Sequence, residues 1–553
     1  MTIVVETQHP RFSEMRDALL PFAELEKSPQ YLHTYKLTPI SVWNAASVGY
    51  DADQVISFLE SNARYGIPPS FVHEIRQWFA KSNIFSLHDS EDGKLELRCT
   101  DTSLLSNLLH DSDFSEQLKE VELDKGVASL DQARRGLLKS RLMQLGFPVT
   151  DLASFVLGQP FEIALRETTK KGNAFKLRPY QKEAVESFYL GGKAGGGNGV
   201  VVLPCGAGKT IVAIAAMAAI ESHTLILTPN TVALNQWRRE LIDKTDLRPE
   251  DIGEYSAQVK EIKPVTLTTY QILTYRETKG GDFIHFDLFT SGDWGLIIYD
   301  EVHLLPAPVF RATAAIQARR RLGLTATLIR EDGQESEVFC LIGPKRFDAP
   351  WKELEQQGFI STVECVEVRI PLSEELEREY LALEKRDRYR LASENPEKKN
   401  VLKALLKKHI GRRVLIIGLY LEQLRDIAKE LKVPVITGSM PNKEREELYE
   451  AFRQGKVKVL LVSKVGNFAI DLPDANVAIQ ISGTFGSRQE EAQRLGRILR
   501  PKSDGSQAYF YSLTTEATVD QDYAEKRQRF LTERGYHYEL ISSSQILSEE
   551  YSS

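Results

Sequence analysis

Residues 203–210 read Leu-Pro-Cys-Gly-Ala-Gly-Lys-Thr and follow the apolar run Val200-Val201-Val202. A buried strand feeding a Gly-rich turn that ends in Gly-Lys-Thr suits the phosphates of a nucleoside triphosphate. Gly206 and Gly208 let the backbone turn so that its N–H groups converge on phosphate oxygens, with Pro204, Cys205 and Ala207 completing the loop. Lys209 reaches toward the β- and γ-phosphates, and the Thr210 hydroxyl suits Mg²⁺. A helix starting here turns its positive end to the same anion. The strict pattern asks for Gly five residues before Gly208, where this chain has Leu203. The short match alone therefore also fits an ordinary Gly-rich turn, and the remaining motifs decide.

A carboxylate pair stands downstream. Residues 294–303 read Trp-Gly-Leu-Ile-Ile-Tyr-Asp-Glu-Val-His. The run 296–299 suits a central strand of a parallel sheet, with the acids at its C-terminal end, where ligands sit in open α/β sheets. Asp300 would hold Mg²⁺, Glu301 would orient and deprotonate an attacking water, and His303 would link the nucleotide to the rest of the machine. A solvated acidic turn is the bland alternative, and it fits poorly after an apolar strand downstream of a phosphate loop. A third turn, Gly323-Leu-Thr-Ala-Thr327, offers small hydroxyls that bridge a nucleotide site to a neighbouring surface. Upstream, Leu177-Arg178-Pro179-Tyr180-Gln181 places Gln181 to read an adenine edge, with Tyr180 beside it and Arg178 in the same stretch.

The second half supplies complementary groups. Residues 493–500 read Gln-Arg-Leu-Gly-Arg-Ile-Leu-Arg. Gln493, Arg497 and Arg500 are four and three residues apart and share one helix face. The two arginines can act as fingers on a γ-phosphate held by the first half, worth about 10³–10⁵ in rate. Without that site the face would simply be solvated. Ser463 opens the stretch Ser-Lys-Val-Gly-Asn-Phe-Ala-Ile-Asp-Leu-Pro after a β-rich run, and Asp471 within it is placed for the ribose.

This order of motifs resembles that of superfamily 2 helicases: Leu-Arg-Pro-Tyr-Gln, Cys-Gly-Ala-Gly-Lys-Thr, Thr228-Pro-Asn230, Thr268-Thr-Tyr-Gln271, Asp-Glu-Val-His, Gly-Leu-Thr-Ala-Thr and Gln-Arg-x-Gly-Arg. It spans roughly residues 176–511. Within the superfamily the chain is similar to the XPB helicases, on its Pro-Cys-Gly-Ala-Gly-Lys-Thr loop and on Arg330-Glu331-Asp332 just after the Thr-Ala-Thr turn. That tripeptide is a hallmark of the family, implicated in opening duplex DNA, and the size suits the prokaryotic type. The resemblance implies an ATP-dependent 3′-to-5′ DNA helicase or translocase in repair, with ATP and Mg²⁺ as cofactors. It implies that one DNA strand lies across two RecA-like halves, with Thr228, Thr268, Thr269 and Ser463 as phosphate contacts. It also implies action on single-stranded, forked or damaged duplex DNA, commonly beside a nuclease partner. Two alternatives share the motor motifs: a duplex translocase that remodels protein–DNA complexes, and an RNA helicase.

The 553 residues suggest three or four domains, each with its own core. Four scattered cysteines indicate neither a disulfide framework nor an iron–sulfur cluster. No secretory leader and no membrane-length apolar run are read from the sequence, so a cytoplasmic, nucleoid-associated monomer is expected. The net charge of −7 does not advertise nucleic-acid binding and predicts local, salt-sensitive patches.

The expected fold class is α/β, two RecA-like parallel-sheet motor domains with small N-terminal α+β domains. Residues 1–115 read as a winged-helix-like regulatory domain, with helices near 38–48, 51–63 and 70–80 and a hairpin at 84–99. Such a module binds DNA or protein. Residues 116–175 form a second small unit with a basic helix near 130–145, either a damage-recognition domain by resemblance or a brace for the motor. The first motor domain is expected over 176–370 and the second over 411–553, with a Ser/Glu-rich tail fraying after about 540. Between them, 371–410 is expected as a thumb-like helical insertion, gripping DNA by resemblance or only bridging the domains.

Overall fold

The structure, a computed structural model, describes residues 1–553 except 20, 28–31, 48, 91–93, 132–133, 154–157, 193–195, 205, 278–283, 286, 306–319, 327–337, 339–340, 350, 464–474, 484–506, 534–535 and 551–553. The chain divides into two units, one built on Met1–Lys27, Tyr31–Leu203 and Gly208–Ala349, the other on Pro350–Ser553.

The first unit begins with a small antiparallel sheet in which Leu32–Lys36 lies between Thr2–Glu6 and Glu24–Lys27. Three helices follow, Pro39–Ser47, Ala52–Asn62 and Pro69–Ser82. Asp51 starts the second by a reciprocal capping box with Gln54, which satisfies two otherwise orphaned N–H groups. Tyr35, Val42, Val55, Ile75 and Phe79 form the core of this module.

The hairpin expected as the wing of those helices belongs elsewhere. Phe85–Asp89 and Leu95–Cys99 are the centre of a five-stranded sheet, flanked by Val149–Asp151 on one side and by Val127–Leu130 and Val121–Glu122 on the other. Phe85, Leu87, Leu95 and Leu97 share a separate core with Leu138 and Leu142 of the helix Arg135–Gln144. The small domains therefore part after Ser82, not near 115, because the inward face of the hairpin packs on that helix. Arg135, fully buried, and Lys139 both bind the Asp151 carboxylate.

The motor sheet of this unit is wholly parallel. Its order is Ile252–Tyr255, Val265–Thr269, Thr224–Thr228, Leu296–Asp300, Arg320–Thr325, Asn198–Val202 and Lys345–Asp348. The central strands are continuous buried runs, as a parallel sheet covered on both faces requires.

The second unit repeats the plan with Val435–Ile436, Val459–Val462, Val414–Ile417, Val477–Gln480, Ala508–Thr515, Val363–Ile370 and Tyr538–Ser542, again all parallel. Three expected boundaries change. Val363–Ile370 pairs in this sheet, so the first motor domain ends near Ala349 and not at 370. The helices Glu374–Ala382, Lys385–Ser393 and Glu397–Lys408 are no separate insertion. Val401, Leu402 and Leu405 lie in the core of the second sheet, and Lys398 is buried against Asp520 at 2.7 Å. The tail after 540 does not fray through its described residues: Tyr538–Ser542 is a sheet strand, and Ile546 of Ser543–Glu550 is buried. No helix among the described residues is long and apolar enough to cross a membrane.

Candidate active site

The phosphate loop leaves the buried strand Asn198–Val202 and is tied to its neighbour by Leu203 N–H donating to the Thr325 carbonyl at 3.0 Å. Gly206 and Gly208 take positive φ (+83° and +85°), which the tight turn requires. A Cβ on Gly208 would sit 2.6 Å from Gln181 Nε2. The loop and the buried Gln181 side chain thus close on each other, and Gln181 Oε1 also accepts from Arg178 N–H at 3.0 Å. Arg178 in turn donates to Tyr180 OH at 3.1 Å. The helix Lys209–Ile220 starts at once, with Lys209 and Thr210 in its first turn.

Lys209 Nζ lies 3.3 Å from Glu301 Oε1. The strand Leu296–Asp300 delivers Asp300, and Glu301 follows with φ +51°, a left-handed conformation that costs a non-glycine residue about 1–3 kcal/mol. His303 Nδ1 is 3.5 Å from Glu301 Oε2 and 2.7 Å from Thr325 Oγ1. A chain of contacts therefore runs from the phosphate-loop lysine through Glu301 and His303 to the Thr-Ala-Thr turn. Asp300 Oδ2 accepts from the Trp237 indole at 2.9 Å, and its main-chain carbonyl accepts from Tyr270 OH at 2.8 Å. Burial, then the charge of Glu301, raises the Asp300 carboxyl from 3.8 to about 6, although Trp237 and Lys209 pull it back.

Trp237 and Tyr270 were not evident as site residues. Trp237 lies on the helix Thr231–Lys244, capped by Asn230 at 2.9 Å, and its spacing with Leu234 and Leu241 reads as a core stripe. Its indole N–H is the part that reaches the site.

The hydroxyls expected to contact DNA are engaged or buried locally in this structure. Thr228 and Thr268 are fully buried and donate to main-chain carbonyls, Thr228 to Thr268 at 3.0 Å and Thr268 to Tyr255 at 2.8 Å. Thr269 is buried and caps the turn Tyr270–Leu273, accepting from Ile272 N–H. Ser463, in the second unit, is buried as well. The Thr228, Thr268 and Thr269 hydroxyls satisfy local backbone first. Cys205, Thr327, Arg330, Glu331, Asp332, Asp471, Gln493, Arg497 and Arg500 lie outside the described residues.

Two parallel α/β sheets, one carrying a phosphate loop beside Asp-Glu-Val-His, define a RecA-like ATP-dependent motor of the superfamily 2 type. Comparison narrows the class. Residues 354–552 match the ERCC3/RAD25/XPB C-terminal helicase family, 174–330 the type III restriction enzyme res subunit, and 1–122 a helicase conserved C-terminal domain. The chain is 49% identical over 545 residues to the DNA 3′-5′ helicase XPB of Kineococcus radiotolerans, covering 99% of this chain and 96% of that one. With the DNA 3′-5′ helicase XPB of Mycobacterium tuberculosis it shares 48% over 546 residues, covering 99% and 97%. The ATP-dependent type ISP restriction-modification enzyme LlaBIII bound to DNA shares the motor fold at a TM-score of 0.50 and 14% identity, over 66% of this chain and 31% of that one. The chain belongs to the XPB family of ATP-dependent helicases.

Proposed function

We propose that the chain hydrolyses Mg²⁺-ATP between Lys209, Thr210, Asp300 and Glu301 and uses the energy to move 3′ to 5′ along DNA and unwind it in repair. The observation that carries the reading is the Lys209–Glu301 pair at 3.3 Å, beside a buried Asp300. Lys209 leaves Glu301 for the β- and γ-phosphates, which releases the Glu301 carboxylate to orient and deprotonate water. Thr210 and Asp300 are two oxygen donors for Mg²⁺. When bound, Mg²⁺ neutralises charge on the phosphates. His303 relays the position of Glu301 to Thr325. Arg178 and Gln181 read the base, Pro204, Cys205, Gly206, Ala207 and Gly208 wrap the phosphates, and Asp471 meets the ribose. Gln493, Arg497 and Arg500 are the proposed groups for the γ-phosphate. Arg330, Glu331 and Asp332 wedge the duplex. The relatives' names support DNA as the track and 3′-to-5′ polarity. A monomer associated with the nucleoid and served by a nuclease partner is the simplest assembly.

The test is steady-state ATPase with single-stranded DNA, duplex DNA or RNA, followed by strand displacement from 3′- and 5′-tailed duplexes. Glu301→Gln is expected to bind ATP and to lose about 10²–10⁴ in kcat, and Lys209→Ala to lose binding. Stimulation by RNA alone would sink the reading. DNA stimulation without strand displacement would replace the helicase with a duplex translocase.

A further inference from the structure

An aromatic cluster stands at the far end of the sheet edge that carries the ATP site. In a parallel sheet every strand ends on one side. Tyr255 ends Ile252–Tyr255 beside Thr268, and Thr269 ends its strand beside Thr228. Three strand spacings, about 14 Å, separate Tyr255 from the Asp300 strand along that edge. Lys260 Nζ sits 4.2 Å from the Tyr255 ring centroid and 3.4 Å from His285 Nε2. Tyr255 OH is 3.1 Å from His285 Nδ1, and the two rings meet edge to face at 5.5 Å. Tyr275 completes the group, stacked on His285 at 6.1 Å with an interplanar angle of 26°.

Tyr275 is 52% exposed, and Val259, Ile262 and Ile284 nearby are also exposed. A ring held by a stacked neighbour, with its surface in solvent, is pre-organised for another flat partner. Residues 254–287 carry four Lys or Arg (Lys260, Lys263, Arg276, Lys279) against five Asp or Glu (Glu254, Glu261, Glu277, Asp282, Asp287) and so have no net positive charge. Ring stacking and not net charge must therefore dominate any contact made here. Two hydrogen bonds connect the patch to the Asp300 strand. Tyr275 N–H donates to Ile272 O of the turn Tyr270–Leu273, and Tyr270 OH from the same turn holds the Asp300 carbonyl.

We propose that Tyr275, backed by His285 and steadied by Lys260 and Tyr255, is a stacking platform for a base of single-stranded DNA, and that its occupancy is felt at Asp300 through Tyr270. The inference rests on the DNA-motor reading. Every base has a π-face, so the platform is indifferent to sequence.

The experiment measures binding of a fluorescein-labelled thymidine oligonucleotide by anisotropy across a salt series. Tyr275→Ala is expected to weaken binding about five- to a hundredfold with an unchanged salt slope, whereas Tyr275→Phe keeps the affinity. Lys260→Ala is expected to lower the slope by about 0.7, the value for one phosphate contact on a single strand. In Tyr275→Trp, the indole emission at this position is expected to be quenched by the oligonucleotide. Equal affinity of wild type and Tyr275→Ala, or equal loss in Tyr275→Phe, overturns the platform while leaving the motor intact. A wild-type protein that binds RNA but not DNA would overturn both.

Discussion

Replacing Trp237 by Phe removes the N–H that donates to Asp300 Oδ2 at 2.9 Å and should move the acid limb of the ATPase toward neutral pH. Asp300 is raised to about 6 by burial and by the charge of Glu301, with Trp237 opposing that rise. A hydrogen bond to a charged group contributes about 1.5–3 kcal/mol, and one pKa unit corresponds to about 1.4 kcal/mol. Its loss therefore pushes the Asp300 carboxyl further up. With Asp300 as the proposed Mg²⁺ ligand, its protonated carboxyl binds the ion poorly, so apparent Mg²⁺ affinity is expected to fall as pH drops through the range where it protonates. The fall should begin one to two pH units higher in the variant, by the same estimate of about 1.5–3 kcal/mol. Bound Mg²⁺ lowers the carboxyl in both proteins, so the separation between the curves is the quantity to read. The assay is steady-state ATPase at limiting Mg²⁺ across the pH range, with thermal melting alongside to separate lost packing from a shifted proton. Superimposed acid limbs would refute the role assigned to Trp237.

Asp300→Asn should abolish ATPase yet raise the melting midpoint at neutral pH. A carboxyl raised from 3.8 to about 6 makes the folded state less stable once ionised, by about 2–3 kcal/mol. The advantage of the variant should grow as pH rises from about 4 to 6, and calorimetry at two pH values would detect its absence. Asp151→Asn should do the opposite. Burial pushes this carboxyl up, but Lys139 and Arg135 outweigh it and hold it well below the usual carboxylate range. Its contribution is present above pH ~4 and lost as pH falls further, so the variant should melt lower at pH 7, by about 3–5 kcal/mol for a broken buried pair. A neutral-pH melt equal to wild type would contradict this. Gly208→Ala should lose binding of a fluorescent ATP analogue, since φ +85° costs an L-residue about 1–2 kcal/mol and the new Cβ would meet Gln181 Nε2 at 2.6 Å. Retained affinity would mean that the loop rearranges.

The two motor sheets were legible because parallel strands buried on both faces leave unbroken apolar runs. Those at 414–417, 457–462 and 477–481 predict strands that the structure places at Val414–Ile417, Val459–Val462 and Val477–Gln480. Grouping the smaller elements was harder. The hairpin at 85–99 looks locally like a wing, and only its pairing with Val127–Leu130 and Val149–Asp151, some thirty to sixty residues away, assigns it to the second small domain. The same holds for Val363–Ile370, whose partners lie at 508–515 and 538–542. Local periodicity states what an element is, whereas pairing at long range states where it belongs.

The site divides along a similar line. Lys209, Asp300 and Glu301 are expected together because their chemistry is bound to a short contiguous context, a strand end followed by a turn, and the structure places Lys209 Nζ 3.3 Å from Glu301 Oε1. Thr228, Thr268 and Thr269 have the residue type that a phosphate contact needs, but type carries no direction. Their strands are buried throughout, so there is no inward–outward alternation from which to infer which way a hydroxyl points. In the structure these hydroxyls bind the backbone, while an apolar-looking Trp237 supplies a polar contact to the Asp300 carboxylate. A buried Trp must place its N–H somewhere. With Leu234 and Leu241 taking the apolar packing, the acidic end of the strand Leu296–Asp300 is where that N–H finds its acceptor.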